Sequence, residues 1–284
     1  MNPLDASTTP IQHTGFTIVE VMVALALGSV LALAIIQVMV SHTVAERVNH
    51  ALASVQENGR FGMLRLQQVL LLTGRYDPLD PALNTHVDTA EEGWFVHKHP
   101  VLLPNDVPLR PTLGSRNGIT GANDTLVVVG QNRIDCRGYR LGYSAEEAFP
   151  VVNEFFVEHE TLKCRGFDLR VLRGQKAAVG HNHHAAFSLL DGVKSFQVLY
   201  GIDSTLSGRV TQYVPASALT TTDIILTIRI GMLLQSDDAI NVQNTQAFAV
   251  LDEVAITPAT THVYRQFEHT VSLRNVKYYM MQRP

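Results

Sequence analysis

The sequence has little charge and lacks the motifs that mark most enzymes. Only 17% of its 284 residues are charged, and it contains two cysteines and one tryptophan. It has no Gly-x-Ser-x-Gly elbow, no phosphate-binding glycine loop, no His-Glu-x-x-His zinc motif and no Gly-x-Gly-x-x-Gly fingerprint. Its net charge of −4 is not the basic excess of a nucleic-acid-binding protein. We therefore expect no enzymatic activity, no cofactor and no direct contact with nucleic acid.

Basic residues are also missing from the first part of the chain, where the longest apolar run lies. No lysine or arginine precedes Arg47, and between Phe16 and Ser41 the only charged residue is Glu20. A helix of that length, at about 1.5 Å per residue, crosses a hydrocarbon core about 30 Å thick. Because a carboxylate within a membrane span is costly, Glu20 is predicted to have a function and a cationic partner.

Two simpler interpretations of this apolar run are open. One is a plain membrane anchor in which Glu20 lies at the level of the lipid headgroups. The other is a secretory signal peptide, which is disfavoured because the run is too long and the small-residue site Ala51-Leu52-Ala53 lies well beyond its end.

The segment Gly15-Phe16-Thr17-Ile18-Val19-Glu20, with the apolar run behind it, resembles the class III signal of type IV prepilins and pseudopilins. The resemblance implies that a prepilin peptidase cuts after Gly15 and methylates the new terminal amine of Phe16. It also implies that Glu20 guides the subunit into a growing filament, where its carboxylate meets the terminal amine of an adjacent subunit.

One continuous helix is predicted from about Phe16 to about Thr73, because no proline occurs between Ile11 and Pro78. Beyond residue 41 apolar or small residues recur at three- and four-residue spacing, which is typical of one buried helix face. Gly59 and Gly62 on that face indicate close packing or a kink. Gly74 is the predicted end signal.

The rest of the chain is predicted to be mainly β. Residues 75–124 are rich in proline and predict a long irregular connection with one short strand at residues 94–96. Short runs rich in β-branched and aromatic residues then predict antiparallel strands at residues 125–129, 154–158, 168–172, 194–200, 209–214, 224–234 and 266–273. We expect an α+β, pilin-like fold in which the long N-terminal α-helix, transmembrane in its first half, packs on a mostly antiparallel β globular domain. The predicted parts are the leader (1–15), the transmembrane or filament-core half of the helix (16–41), its amphipathic half (42–74) and the periplasmic β-rich domain (75–284).

Several short segments resemble signatures of the PilW family of type IV pilus minor pilins. These are residues 56–61, 135–136, 163–165, 189–193, 196–203, 228–234 and 271–275. The resemblance implies a minor pilin that helps to initiate pilus assembly within a complex at the filament tip, which can carry a large adhesin. The implied partners are the prepilin peptidase, other minor pilins and the major pilin. The implied location is the inner membrane, as a single-pass protein with its C-terminal domain in the periplasm, and later the pilus tip at the cell surface.

Two other classes of protein are alternatives. A minor pseudopilin of a type II secretion system shares the N-terminal signal but should lack the PilW-like segments of the second half. A membrane-anchored periplasmic binding or sensor domain would never enter a filament.

Cys136 and Cys164 lie beyond the apolar run, in a part of the chain expected to face an oxidising space. Their spacing fits neither a zinc pair nor a redox Cys-x-x-Cys motif. A disulfide between them would stabilise the fold by roughly 3 kcal/mol in the loop-entropy model. Two buried free thiols are the alternative.

No metal site is predicted. The segment His181-Asn182-His183-His184 favours a solvated loop, because no cysteine or suitably spaced carboxylate accompanies the imidazoles. The turn at residues 203–208 has only one carboxylate, Asp203, which is too few for an ordinary calcium site. The acidic and histidine stretch Glu154, Glu158, His159 and Glu160 predicts a solvated strand face.

Overall fold

The structure, a computed structural model, describes residues 15–182, 184–240 and 246–276. The predicted leader apart from Gly15, and His183, lie outside the described residues. The chain divides into two compact units between Asn49 and His50, and helix α1 (Ile18–Leu70) contributes residues to both.

Two further helices and eight strands follow α1 in the described residues. The helices are α2 (Thr89–Lys98) and α3 (Leu169–Leu172). The strands are β1 (Leu126–Asn132), β2 (Phe149–Glu158), β3 (Thr161–Asp168), β4 (Phe187–Leu190), β5 (Val193–Asp203), β6 (Gln212–Val214), β7 (Ile224–Gln235) and β8 (Tyr264–Ser272).

Helix α1 is 53 residues long and has the bounds that its sequence predicts to within a few residues. It begins at a threonine cap, Thr17, whose hydroxyl accepts a hydrogen bond from the Glu20 N–H. Beyond Leu70 the chain turns, and Gly74 has a φ of +71°, a value that favours glycine. The Gly74 N–H then donates to the Val129 carbonyl (2.8 Å), which attaches the turn to strand β1.

The strands form two four-stranded antiparallel sheets. The first has the order β1-β2-β3-β4 and the second the order β6-β5-β7-β8. In the first sheet Phe155 pairs with Cys164, and in the second Met232 pairs with Phe267. The α+β class with a long N-terminal helix and antiparallel sheets is therefore confirmed.

Strand β1 of the first sheet is buried on both faces, which explains why it is apolar at consecutive positions. Leu126 and Val128 join a large core that also contains Leu66 and Leu70 of α1 and the inner residues of the second sheet. Val127 and Val129 join a second core, which residues 75–124 cover with Tyr76, Leu83, Phe95, Val96, Leu102, Val107 and Leu113.

Two predicted strands are wrong, and two strands were not predicted. Residues 94–96 belong to α2, whose cap Asp88 accepts hydrogen bonds from the Ala90 and Glu91 N–H groups. Residues 168–172 begin with another cap, Asp168, and continue as α3. Short apolar runs do not distinguish a strand from a helix, and in both cases the aspartate cap decided the outcome. Strands β3 and β4 were missed.

Candidate functional site

The predicted processing and assembly residues lie at the start of α1. Thr17 and Glu20 form a reciprocal capping box: the Glu20 N–H donates to Thr17 Oγ1 (3.2 Å), and the Thr17 N–H donates to Glu20 Oε2 (3.3 Å). Gly15 and Phe16 precede the helix in an exposed, non-helical segment. The Gly15–Phe16 bond is therefore exposed and lies outside the helix, and the Glu20 carboxylate is held at the N-terminal end of the helix.

The apolar run that follows is exposed on all sides. Phe16 is 84% exposed, Leu31 64% and Met39 64%, and no residue of α1 before Ala51 is buried. By length and composition, α1 is the one helix among the described residues that could cross a membrane. Apolar side chains over the whole circumference are typical of a helix surrounded by lipid or by other apolar helices.

Beyond residue 50, α1 has a single buried stripe. Its members are Ala51, Val55, Gly59, Gly62, Leu66 and Leu70. A Cβ atom added to Gly59 would lie 2.3 Å from the ring of Phe267, and one added to Gly62 would lie 2.6 Å from Leu190. The two glycines thus let the helix approach both sheets closely, as predicted.

The edge of this contact is polar. Ser54 Oγ donates to Asp237 Oδ2 (3.1 Å), and Asn58 Nδ2 donates to the same oxygen (3.4 Å). The apolar stripe and these two bonds fix the rotation of the helix on the domain.

Cys136 and Cys164 are joined in a disulfide, with their Cα atoms 6.3 Å apart. Cys164 lies in β3, whereas Cys136 lies in the connection between β1 and β2. The Cys136 N–H donates to Asn153 Oδ1 (2.8 Å), and Arg65 of α1 donates to the Cys136 carbonyl (3.2 Å). The disulfide therefore ties the β1–β2 connection to the sheet beneath α1.

A buried arginine next to the disulfide organises the histidine-containing loop. Arg137 donates to Asp135 at 2.6 Å, and both side chains are at most 1% exposed. The same guanidinium donates to the carbonyls of Gly166, His181, His184 and Ala185. The His181 ring stacks on Tyr139 with centroids 3.7 Å apart. Among the described residues, no group of three or more histidine, cysteine, aspartate or glutamate side chains could hold a metal ion.

A second buried ion pair joins residues 75–124 to α3. Arg170 donates to both Glu92 oxygens (2.7 and 2.8 Å) and to the side chain and carbonyl of Asn84 (both 2.6 Å). Tyr76 donates to the same glutamate (2.9 Å), and burial, together with the Glu92 charge, raises the pKa of Tyr76. Each of these groups has a hydrogen-bond partner, as expected for a buried ion pair with a structural role. The pair joins α2 to α3.

The acidic stretch is only partly the solvated face that its sequence predicts. Glu158, His159 and Glu160 are exposed at the β2–β3 turn. Glu154, in contrast, is only 13% exposed and contacts Arg165 at 3.4 Å. Asp203 stabilises its own turn, because its carboxylate accepts hydrogen bonds from the Thr205 and Gly208 N–H groups.

Sequence reasoning missed three of these features. Thr17 could have been found, since Thr-x-x-Glu before an apolar run is the signature of a capping box. The pair of Glu92 and Arg170 gave no local signal, because its members lie 78 residues apart. Asp135 and Arg137 are neighbours in the chain, but the carbonyls of Gly166 and His181 to which Arg137 also donates come from distant segments.

The comparisons with known proteins agree at both ends of the chain. The family "Type IV Pilus-assembly protein W" matches residues 152–275. The "Prokaryotic N-terminal methylation motif" matches residues 12–36, which include Gly15, Phe16 and Glu20. Among solved structures, a type IV-like pilin from Thermus thermophilus is similar over 78% of this chain and 98% of its own chain, with 11% sequence identity and a TM-score of 0.39. No curated protein matches.

Proposed function

We propose that this chain, a PilW-like minor pilin, helps to initiate the assembly of a type IV pilus and forms part of its tip complex. The observation that carries the proposal is the presence of both matches in one chain, the methylation motif at residues 12–36 and the pilus-assembly domain at residues 152–275. Helix α1 carries the motif and also supplies the buried stripe of the domain.

The prepilin signal and the apolar helix anchor the chain in the inner membrane, with the globular domain outside the cytoplasm. In the proposed sequence of events, a prepilin peptidase removes residues 1–15 and methylates Phe16. The mature subunit stays in the membrane until it is extracted into the filament and reaches the cell surface at the pilus tip.

The proposed role of Glu20 is to pair with the terminal amine of an adjacent subunit. Its carboxylate accepts hydrogen bonds from the Thr17 N–H (3.3 Å) and the Thr17 hydroxyl (3.4 Å) in the capping box. An incoming ammonium group replaces a neutral N–H donor with a charged one, and charge-assisted hydrogen bonds are about twice as strong as neutral ones. Packing of the exposed apolar half of α1 against neighbouring helices then stabilises the filament.

In this proposal the protein is not an enzyme, and it needs no cofactor. It is a substrate of the prepilin peptidase and a structural partner of the other minor pilins, the major pilin and a large tip adhesin. The methylation motif alone would also fit a pseudopilin of a type II secretion system. The domain match at residues 152–275 favours the pilus, because the pseudopilin alternative predicts that these segments are absent.

The test is Glu20→Ala in cells that lack the native protein, with Glu46→Ala, an exposed carboxylate on the same helix, as the matched control. We expect normal expression and N-methylated Phe16 by mass spectrometry for both variants. Surface piliation should fall about tenfold for Glu20→Ala alone, the loss expected from one charge-assisted hydrogen bond of roughly 1.5 kcal/mol. Normal piliation in Glu20→Ala would contradict the role of Glu20. A chain that still begins at Met1 would favour the anchored sensor domain.

A further inference from the structure

An open cavity of about 360 Å³ lies where residues 84–87 meet the loop of residues 142–147. Its lining includes Asn84, His86, Glu147, Arg170, Gln175 and Lys176. A cavity of this size accommodates a small ligand or one long side chain of a partner protein. None of the processing, assembly or disulfide residues lies in it, so the proposed pilus role leaves the cavity without a function.

The carboxylate of Glu147 is held in position at this cavity by two neutral donors. Its Oε1 accepts a hydrogen bond from Asn84 Nδ2 (2.7 Å), and its Oε2 accepts one from the Ser144 N–H (2.8 Å). These donors, the Ser144 N–H foremost, hold the pKa of Glu147 below its usual range, so the group is ionised at neutral pH. Within the described part of the chain Glu147 forms no ion pair, and each of its oxygens keeps a lone pair for a further donor.

A buried network fixes the amide that holds Glu147. Asn84 Oδ1 accepts a hydrogen bond from Arg170 Nη1 (2.6 Å), which directs the Asn84 NH₂ group toward Glu147. Arg170 is itself held by both oxygens of Glu92, and the Asn84 N–H donates to the Ala148 carbonyl (2.9 Å). The carboxylate is therefore in place before a ligand binds, which lowers the entropy lost on binding.

The two basic residues that line the cavity, Arg170 and Lys176, are already neutralised. Arg170 pairs with Glu92 (2.7 Å) and Lys176 pairs with Asp168 (3.0 Å), and the side chains of both acidic partners are 0% exposed. Because these charges cancel, the uncompensated charge of the lining is the negative charge of Glu147. The cavity therefore favours a cationic group over an anion.

We infer that this cavity binds a guanidinium group, which pairs with the Glu147 carboxylate. The side chains of Gln175 and His86 also line the cavity, and neither forms a hydrogen bond among the described residues. An amide oxygen and a neutral imidazole nitrogen accept N–H groups, and a guanidinium offers five such donors in one plane. The guanidinium belongs either to an arginine of a partner protein or to a small compound, and the experiment distinguishes these sources. The site does not depend on the proposed pilus role and can be tested without a filament.

The experiment measures, by isothermal titration calorimetry, the binding of a blocked glycine pentapeptide with a central arginine to the full-length protein in detergent. The matched ligand has citrulline in place of arginine, which keeps the shape and removes the charge. We expect the citrulline peptide to bind about tenfold more weakly, the equivalent of one charge-assisted hydrogen bond. Methylguanidinium is the second probe. Binding as tight as that of the arginine peptide supports a small compound as the ligand, and weaker binding supports an arginine of a partner protein.

Two variants locate the site. Glu147→Gln is compared with Glu146→Gln, which removes the same charge from the preceding residue, whose side chain is 87% exposed and lies outside the cavity. We expect the affinity for the arginine peptide to fall about tenfold in Glu147→Gln and to change less than about twofold in Glu146→Gln.

A further measurement does not depend on any variant. The bound arginine peptide should protect Glu147 of the unaltered protein from a carbodiimide that labels carboxylates, as read by tandem mass spectrometry, and should leave Glu146 unprotected. The inference is overturned if neither guanidinium probe binds, if the citrulline peptide binds as tightly as the arginine peptide, or if the protection falls elsewhere. Equal losses in Glu146→Gln and Glu147→Gln would also overturn it. Tighter binding of a pentapeptide with a central glutamate than of the arginine peptide would overturn it in favour of an anion site.

Discussion

The two parts of helix α1 share one secondary structure and have opposite surfaces. Before Ser41 the side chains are apolar around almost the whole circumference, and all are exposed. After residue 50 the buried residues recur at intervals of three and four, and polar residues occupy the remaining face. Helix propensity is therefore common to both parts, whereas the pattern of apolar residues specifies what each part packs against. Three substitution pairs test this division.

The largest expected effect comes from deleting a core leucine. Leu66→Ala should lower the free energy of unfolding of the globular domain by about 3 kcal/mol, because Leu66 is 1% exposed and its loss leaves a cavity. Leu31→Ala removes the same atoms from a side chain that is 64% exposed and should leave that free energy unchanged. Denaturant unfolding of both variants in detergent measures the difference. Equal losses would mean that the two parts of the helix are not distinct environments.

Replacing glycine with alanine is expected to have opposite effects on stability in the two parts of α1. Gly59→Ala should destabilise the domain by about 1–3 kcal/mol, since the new Cβ would meet the Phe267 ring at 2.3 Å. Gly28 has no neighbouring atom within 4 Å of such a Cβ, so Gly28→Ala should only stiffen the helix, by about 1 kcal/mol of propensity. Thermal unfolding of the domain and amide exchange around residue 28 separate the two outcomes. A stabilised Gly59→Ala domain would show that Phe267 moves aside at no cost.

The smallest change in stability is expected from removing the N-terminal cap of α1. Thr17→Ala should cost about 1 kcal/mol of local stability, because it removes the acceptor of the Glu20 N–H. Thr43→Ala is the control, since Thr43 Oγ1 only donates back to the Met39 carbonyl within the helix. Faster amide exchange at residues 18–21 in Thr17→Ala, with no change in domain unfolding, would show that the cap stabilises the first part of the helix independently of the domain. Unchanged exchange there would mean that Glu20 is not held by the capping box.

The helix was the most predictable element, and the segment after it the least. The ends of α1, the stripe and the close packing at Gly59 and Gly62 all follow from spacing within one stretch of chain. Residues 75–124 were expected to be irregular, and α2 was mistaken for a strand although Asp88 and Glu91 carry the signature of a helix start. The packing of residues 75–124 over the second core was not predictable, because it depends on contacts with β1, β2 and β3.

The processing motif, the apolar span and the amphipathic half of α1 follow from the amino-acid sequence alone, because each is a periodic or contiguous pattern whose residues interact within a few turns of one helix. Contacts between residues far apart in the chain depend instead on the tertiary structure. Phe267 packs against Gly59, Arg137 donates to carbonyls of residues 181–185, and Arg170 donates to Glu92 and Asn84. Such contacts arise from the register of two sheets and the path of a long connection, and no local spacing in the chain encodes them.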